Sequence, residues 1–320
     1  YILQRKNSSV FKNPVQVMEN ICGVTQHVRE KLKASGGNPD RETLTVIPTL
    51  DGKSCYKAED GSYFRMYKFI EDSVSYDIVE NPIQLYFAGR AFGKFQKMLD
   101  DFPVDKLYDT IPEFHNTPGR IEQLECAVKE NKAGRADSVK AEIDFARSYG
   151  KYAGLIVDAI ESGDIPLRVT HNDTKLNNVL FDSETGEDVC VIDLDTVMPG
   201  SALYDFGDAL RFGASSALED ETELDKVYFD LEKYEQFAKG FLSETADCLT
   251  ETEKKLLPVS ALILTYECGI RFFADYLNGD TYFKTKYETH NLDRARNQFK
   301  LVYNIESKLE DMQKITEKYI

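Results

Sequence analysis

The chain writes the same four-residue helix opening twice. Asn13-Pro14-Val15-Gln16 and Asn81-Pro82-Ile83-Gln84 each offer an Asn as N-cap and a Pro at the first helical position, where its missing N–H costs nothing. Each also places a Gln three residues after the cap, able to reach back to it. From the first opening, Val15, Met18, Cys22, Thr25, Val28 and Leu32 recur at helical spacing until Ser35-Gly36-Gly37 stops the pattern, which predicts a helix over about 14–33. The second opens a helix to about Leu99. Between them the character changes to β-branched and aromatic runs at 43–49 and 63–70, broken by Asp51-Gly52 and Asp60-Gly61, which are hairpin-type turns. A small antiparallel sheet must therefore sit between two helices, with residues 1–5 as a further strand.

Beyond that second helix the chain is loop-rich around Pro103, Pro112, Pro118 and Gly119, then helical near 120–131 and 136–161. Short strands follow at 167–170, 178–181 and 189–194, the last two joined by a Gly-containing turn. Helical segments near 204–212, 222–246, 251–278 and 290–318 complete the pattern. The class is α+β, a mostly β small lobe over 1–70 and a mostly α large lobe over 71–320. A length of 320 residues has room for that at roughly 150 per domain.

Charge narrows the partners. Thirty-nine basic against fifty-five acidic side chains give a net −16, which repels phosphodiester backbones and anionic lipid alike, so neither nucleic acid nor a membrane surface is expected. The contiguous apolar stretches 154–160 and 259–266 are far shorter than the roughly 18 residues of a membrane span, and no signal-peptide pattern opens the chain. The expected location is the cytoplasm. The six cysteines are scattered, without paired or zinc-type spacing, and are expected to be reduced.

The chemistry lies in Thr170-His171-Asn172-Asp173-Thr174-Lys175-Leu176-Asn177-Asn178, followed after one hairpin by Val191-Ile192-Asp193-Leu194-Asp195. His-x-Asp, an Asn five residues after the Asp, and another Asp after an apolar strand make the arrangement of kinase-type phosphoryl transfer. A short loop holds Asp173 toward an acceptor hydroxyl, while Asn178 points away to share a magnesium ion with Asp193; magnesium prefers oxygen ligands and completes its shell with phosphate oxygens. Taken singly these are ordinary turn and strand-end residues, and the functional reading rests on their joint spacing. His171 is expected to brace the loop rather than react. The string Gly89-Arg90-Ala91-Phe92-Gly93-Lys94-Phe95 is one residue short of a P-loop and lacks its Ser or Thr.

These segments, with Val197-Met198-Pro199-Gly200 and Tyr204-Asp205-Phe206-Gly207-Asp208, closely resemble the aminoglycoside phosphotransferase and choline kinase superfamily, and within it most of all the N-acetylhexosamine 1-kinases. Leu3-Gln4-Arg5-Lys6-Asn7, Val10-Phe11-Lys12-Asn13-Pro14, Phe114-His115-Asn116-Thr117-Pro118 and Gly269-Ile270-Arg271-Phe272-Phe273 extend the resemblance over the whole chain. It implies a protein-kinase-like two-lobe fold and ATP and magnesium as cofactors. Asp173 becomes the catalytic base, Lys175 a group near the transferred phosphate, and Asn178 and Asp193 the metal ligands, with Asp195 behind them. Asp205 would brace the catalytic loop. Arg5 would stand where kinases keep the strand lysine that contacts the nucleotide phosphates, paired with Glu19, and the backbone of Lys68, Phe69 and Ile70 would meet adenine. Arg271 and His115 would contact the acceptor, and His115 in its Pro-rich loop reads as a loop organiser rather than a catalyst.

The family's first two strands and their phosphate-covering loop are expected upstream of Tyr1, so that the small lobe is truncated at its start. The reaction the resemblance implies is phosphorylation of the anomeric hydroxyl of GlcNAc or GalNAc. An aminoglycoside or another cationic amino-alcohol is the alternative acceptor, attracted by the net charge. A nucleotide-binding pseudoenzyme is disfavoured by the intact Asp173, Asn178 and Asp193.

Overall fold

The computed structural model describes residues 1–6 and 11–320; Asn7 and Val10, part of the motifs quoted above, lie outside the described residues. Strand β1 (Ile2–Arg5) precedes helix α1 (Pro14–Ser35), where Asn13 accepts the Gln16 amide and Gly36, at φ 80°, closes the last turn on the Leu32 and Lys33 carbonyls. The helix buries Val17, Met18, Ile21, Val24, Val28 and Leu32. Val15, expected on that stripe, is exposed, because the Ile21 and Val24 face lies one position round.

A one-turn helix α2 (Pro39–Glu42) and strands β2 (Val46–Ile47), β3 (Tyr56–Lys57) and β4 (Tyr63–Tyr67) complete the small lobe. Its sheet is antiparallel in the order β1-β4-β2, with β3 also on β4. Gly52 and Gly61, at φ 80° and 83°, supply the left-handed turn positions that the two Asp-Gly pairs announce. The chain then leaves this sheet, and β5 (Ser73–Val74) already pairs with a hairpin of the large lobe. Helix α3 (Pro82–Met98) carries the complete capping box, with Asn81 accepting from the Ile83 amide and Gln84 from the Asn81 amide.

The large lobe continues through α4 (Thr117–Glu130), α5 (Lys140–Tyr149) and α6 (Leu155–Glu161) to β6 (Arg168–Thr170), the hairpin β7 (Val179–Asp182) and β8 (Asp188–Val191), and β9 (Met198–Gly200). Helices α7 (Ala202–Gly213), α8 (Leu231–Thr245), α9 (Glu251–Leu277), α10 (His290–Glu306) and α11 (Leu309–Thr316) follow. Three segments expected as single helices are shorter or split. Gly150 and Gly154 divide 136–161, the cap of Asp230 on Glu232 and Lys233 delays α8, and α10 ends at Ser307 before α11.

Helix α9 corrects the contiguous-run estimate: one 18-residue window has mean hydropathy 1.4, long and apolar enough to cross a membrane, yet 78% of that window is buried inside the protein. It is the core helix on which α4, α7 and α10 pack. The rejected P-loop string lies within α3, and its glycines serve packing: a Cβ at Gly89 or Gly93 would strike the backbone of α8, and one at Gly240 would strike the Tyr86 carbonyl. That close crossing holds α3 where its far end reaches the loop after β6.

Candidate active site

The loop leaving β6 is held from below by α7. Asp205, wholly buried, accepts the amides of His171 (3.0 Å) and Asn172 (2.7 Å) and the Gln96 side-chain amide (2.6 Å). One turn on, Asp208 accepts the Thr174 amide at 3.1 Å, and Thr174 Oγ1 donates to the Asp205 carbonyl at 2.6 Å. Burial pushes the Asp205 pKa up; at Asp208 burial acts the same way but Arg211 and Lys175 outweigh it and hold the group low. Asn172 sits at φ 65°, a left-handed position that costs a non-glycine residue about 1 kcal/mol or more. Its side chain donates to the Thr196 carbonyl (2.9 Å), while Thr196 Oγ1 donates to the His171 carbonyl (2.6 Å). His171 Nε2 donates to the Ile192 carbonyl at 2.8 Å, leaving Nδ1 to accept the Asp173 amide at 3.3 Å, and the ring packs edge-on to Phe92 and Phe95. His171 thus ties the loop to the strand end before Asp193.

Asp173 points one carboxylate oxygen at Lys175 Nζ, 2.7 Å away, and the other toward Asn178 Nδ2 at 3.3 Å. Burial opposes the charge on Lys175, yet Asp173 raises its pKa overall. Asn178 Nδ2 also donates to the Asp173 carbonyl at 2.7 Å, which leaves its carboxamide oxygen with no hydrogen bond among the described residues. The β7–β8 register pairs Val179 with Val191, and the Ile192 amide donates to the Asn178 carbonyl, so Asn178 and Asp193 lie side by side at one end of the hairpin. Asp193 stands at φ 56° and is exposed; crowding by the protein, then the charges of Asp195 and Asp173, push its pKa up.

That donor set fits a magnesium ion. An uncommitted carboxamide oxygen lies beside a carboxylate that has no hydrogen-bond donor among the described residues and whose proton affinity is raised by crowding of the protein and then by neighbouring anions. Both are oxygen donors of the kind magnesium takes. No group of three or more His, Cys, Asp or Glu side chains that could hold a metal occurs among the described residues, so any ion here would take its other ligands from elsewhere.

At the end of β1 the inward-facing cation is Lys6, one residue after Arg5. Arg5 donates to Ser62 Oγ at 2.8 Å on the exposed edge of β1 and does not pair with Glu19, which is exposed on α1 and engages the hydroxyl of Tyr108. Side chains alternate faces along a strand, and it is Lys6 that turns inward, 5% exposed, with Nζ 2.6 Å from Asp195 Oδ1. Burial, only partly offset by Asp195, lowers the Lys6 pKa. The same oxygen accepts from Arg65 of β4, a residue unmarked by any motif. Asp195 is thus committed to two cations of the small lobe. Beside Glu19 it is Asn20 that is buried, and its side chain donates to the Tyr108 and Val197 carbonyls at 2.8 and 2.9 Å.

At the expected adenine-facing segment, the Lys68 amide is spent on the Thr45 carbonyl and the Ile70 carbonyl on Ser73 Oγ, and Ile70 is buried. Phe69, half exposed, keeps both its backbone groups outside these bonds. On the large-lobe side, His115 is 9% exposed; its Nδ1 lies 2.9 Å from Glu267, whose other oxygen accepts from Thr117 at 2.7 Å. That pairing organises the loop through Nδ1, while Nε2 is buried without a hydrogen-bond partner among the described residues. Arg271, half-buried, makes no ion pair or hydrogen bond among the described residues and lies between the rings of Phe114 (5.8 Å) and Phe283 (5.7 Å). Two cavities touch the loop: one of about 190 Å³ lined by Leu176, Arg211, Phe212 and Glu219, and one of about 250 Å³ lined by Asn172, Phe114, His115 and Tyr204.

A family model described as the phosphotransferase enzyme family (APH) matches residues 45–237, which include the whole loop, hairpin and α7. Three solved structures share the fold. An aminoglycoside phosphotransferase from Alicyclobacillus acidocaldarius superposes with TM-score 0.64 at 13% identity, over 99% of this chain and 86% of that one. A microcompartment-associated aminopropanol kinase gives TM-score 0.55 at 14% identity over 97% and 86%. An ethanolamine kinase from Plasmodium vivax gives 0.51 at 13% over 89% and 72%. At such identities the likeness is one of fold.

Proposed function

This chain belongs to the phosphotransferase enzyme family and is a small-molecule kinase, and from that premise we propose that it moves the γ-phosphate of ATP to the anomeric hydroxyl of an N-acetylhexosamine, GlcNAc or GalNAc, giving the 1-phosphate. The observation that carries the chemistry is the placement of Asp173: a carboxylate on a braced loop, next to a lysine and beside the Asn178–Asp193 pair. Asp173 accepts the proton of the attacking hydroxyl as the new oxygen–phosphorus bond forms and the bond from the γ-phosphorus to the bridging oxygen breaks, releasing ADP. The anomeric hydroxyl is the most acidic of a reducing sugar and the easiest to activate.

Lys175 is placed to leave Asp173 for the transferred phosphoryl group, and Lys6 takes the part first assigned to Arg5, facing the nucleotide phosphates from the small lobe. Asn178 and Asp193 would hold magnesium, which when bound neutralises charge on the phosphate oxygens. The backbone groups of Phe69, with the Lys68 carbonyl and the Ile70 amide, make no hydrogen bond among the described residues and would meet adenine. In this reading residues 1–70 contribute the nucleotide side and 71–320 the catalytic loop, metal site and acceptor pocket, and the enzyme works in the cytoplasm, with its six unpaired cysteines reduced.

The acceptor reading rests on Arg271. An unpartnered, half-buried guanidinium between two aromatic rings offers several fixed donors to sugar oxygens and repels a polycation. Amino-alcohols and aminoglycosides are the second reading, favoured by the net charge of −16. A substrate panel separates them: ATP consumption is expected with GlcNAc or GalNAc and not with ethanolamine, aminopropanol or kanamycin. Turnover of the amines alone would replace the sugar reading with the second one.

A further inference from the structure

Arg65 lies mid-strand in β4 and is 5% exposed, a position where the strand pattern asks for no charge. Its surroundings are built for it. Nε donates to Gln4 Oε1 at 2.8 Å from the residue opposite it in register, the guanidinium lies 5.0 Å from the Tyr67 ring centroid, and Nη1 reaches Asp195 Oδ1. Lys6 Nζ lies 2.6 Å from that same oxygen. Two buried cations share this one carboxylate oxygen, and the charge of Asp193 also acts on both. Asp195 alone does not balance the pair.

Their chemistry divides the labour. Lys6 is a point charge on a flexible stem just past the strand end, seated over the Phe11 ring at 4.7 Å, and can swing to a phosphate. Arg65 is a planar fork already fixed by Gln4 and Tyr67 and keeps its charge at any working pH. Asp195 begins no element of its own: it lies in the single turn Leu194–Thr196 that starts directly after Asp193, which stands at φ 56° as the residue leading into it. Whatever fixes Asp195 fixes the aim of Asp193.

We propose that Arg65 is a positioning residue for the metal-binding turn: it stays on Asp195 when Lys6 turns to the nucleotide, and so joins the small-lobe sheet to the carboxylate that meets the magnesium–nucleotide complex. This rests on the reading of Asp193 as a magnesium ligand. It does not ask Arg65 to touch the phosphates.

The test is calorimetric titration of the full chain with ADP, with and without magnesium, so that no turnover is involved. Arg65→Gln is expected to shrink the magnesium-dependent gain in ADP affinity by about tenfold or more, the usual effect of losing a group that orients a metal ligand. Magnesium-free ADP affinity should change by less than roughly threefold, and the Arg65→Gln, Asp195→Asn double variant should lose no more than either single, since the two act as one unit. Equal loss with and without magnesium would mean direct phosphate contact, and a lowered melting temperature with an unchanged magnesium gain would mean a structural role only; either overturns the proposal. Should Arg65→Gln not fold, Arg65→Lys keeps the charge without the fork and is expected to show the same loss at roughly threefold or more; an unchanged gain there also overturns it. Asp193→Asn in the same titration separates the two readings: if it keeps the magnesium gain, the metal assignment fails, whereas if it loses the gain while Arg65→Gln keeps it, only the role of Arg65 does.

Discussion

Replacing Asp205 by Asn keeps the shape of the group beneath the catalytic loop and removes what holds it. All three partners of this buried carboxylate are N–H donors: the Asn172 amide on Oδ1, and the His171 amide and Gln96 Nε2 on Oδ2. A carboxamide has only one acceptor oxygen. Its best orientation keeps that oxygen toward His171 and Gln96 and turns its own N–H groups on the Asn172 amide. One charge-assisted bond, about 1.5–3 kcal/mol, is lost, and two others fall to the neutral value near 1 kcal/mol each. Against this, a neutral side chain is cheaper to bury, as the raised pKa of Asp205 indicates. The net loss is about 2–3 kcal/mol, which urea denaturation at neutral pH would read directly. The two amides belong to the residues immediately before Asp173, so kcat should drop by about 100-fold, the effect of misplacing a reacting group by an ångström, while KM for ATP changes little. An Asn variant within roughly 0.5 kcal/mol of wild type and with wild-type kcat would refute the bracing argument.

Asp173→Asn should remove about 10²- to 10⁴-fold in kcat and leave ADP binding intact, because it deletes the proton acceptor and preserves the loop; more than roughly a tenth of wild-type kcat would count against Asp173 as the base. The pKa of Asp193 is raised in the folded chain, so its favourable contribution is present below the unfolded value near 3.9 and lost as pH rises through the folded one. Metal-free Asp193→Asn should therefore match wild type near pH 4 and melt about 1–2 °C higher at pH 7.5, the exposure of the group keeping the gain small; an equal or lower melting temperature at pH 7.5 would contradict this. Arg168 forks onto the fully buried Glu253 at 2.7 and 2.9 Å, so Arg168→Met strands that carboxylate and should cost about 3–5 kcal/mol, with Glu253→Gln recovering part of it in the double variant. A loss below about 1 kcal/mol in the denaturation midpoint analysis would show that Glu253 is neutral or hydrated.

Much of the scaffold was legible because it is written locally. Asn13 and Asn81 cap the helices their sequences announce, Gly52 and Gly61 turn the hairpins, and the buried Asp205 lies where its motif implies. Lys6 was missed because Gln4, Arg5 and Lys6 are all polar, so no alternation in the strand itself says which cation turns inward. Arg65 left no mark for a related reason: a charge inside a strand reads as solvent-facing, and its partner Asp195 is 130 residues away. His115 likewise found Glu267 across 152 residues, a pairing that only the packing of α9 creates. The helix breaks at Gly150 and Gly154 had a signal in the glycines themselves, whereas that at Ser307 has none in Gly or Pro.

Which atom receives the phosphate is the point on which the proposal stands, and proton-coupled phosphorus NMR of the product formed from ATP and GlcNAc or GalNAc reads it directly. A doublet from the single anomeric proton is the expected result, in keeping with Asp173 activating the most acidic hydroxyl of the sugar. Coupling to two methylene protons would place the phosphate on O6 and contradict the assignment.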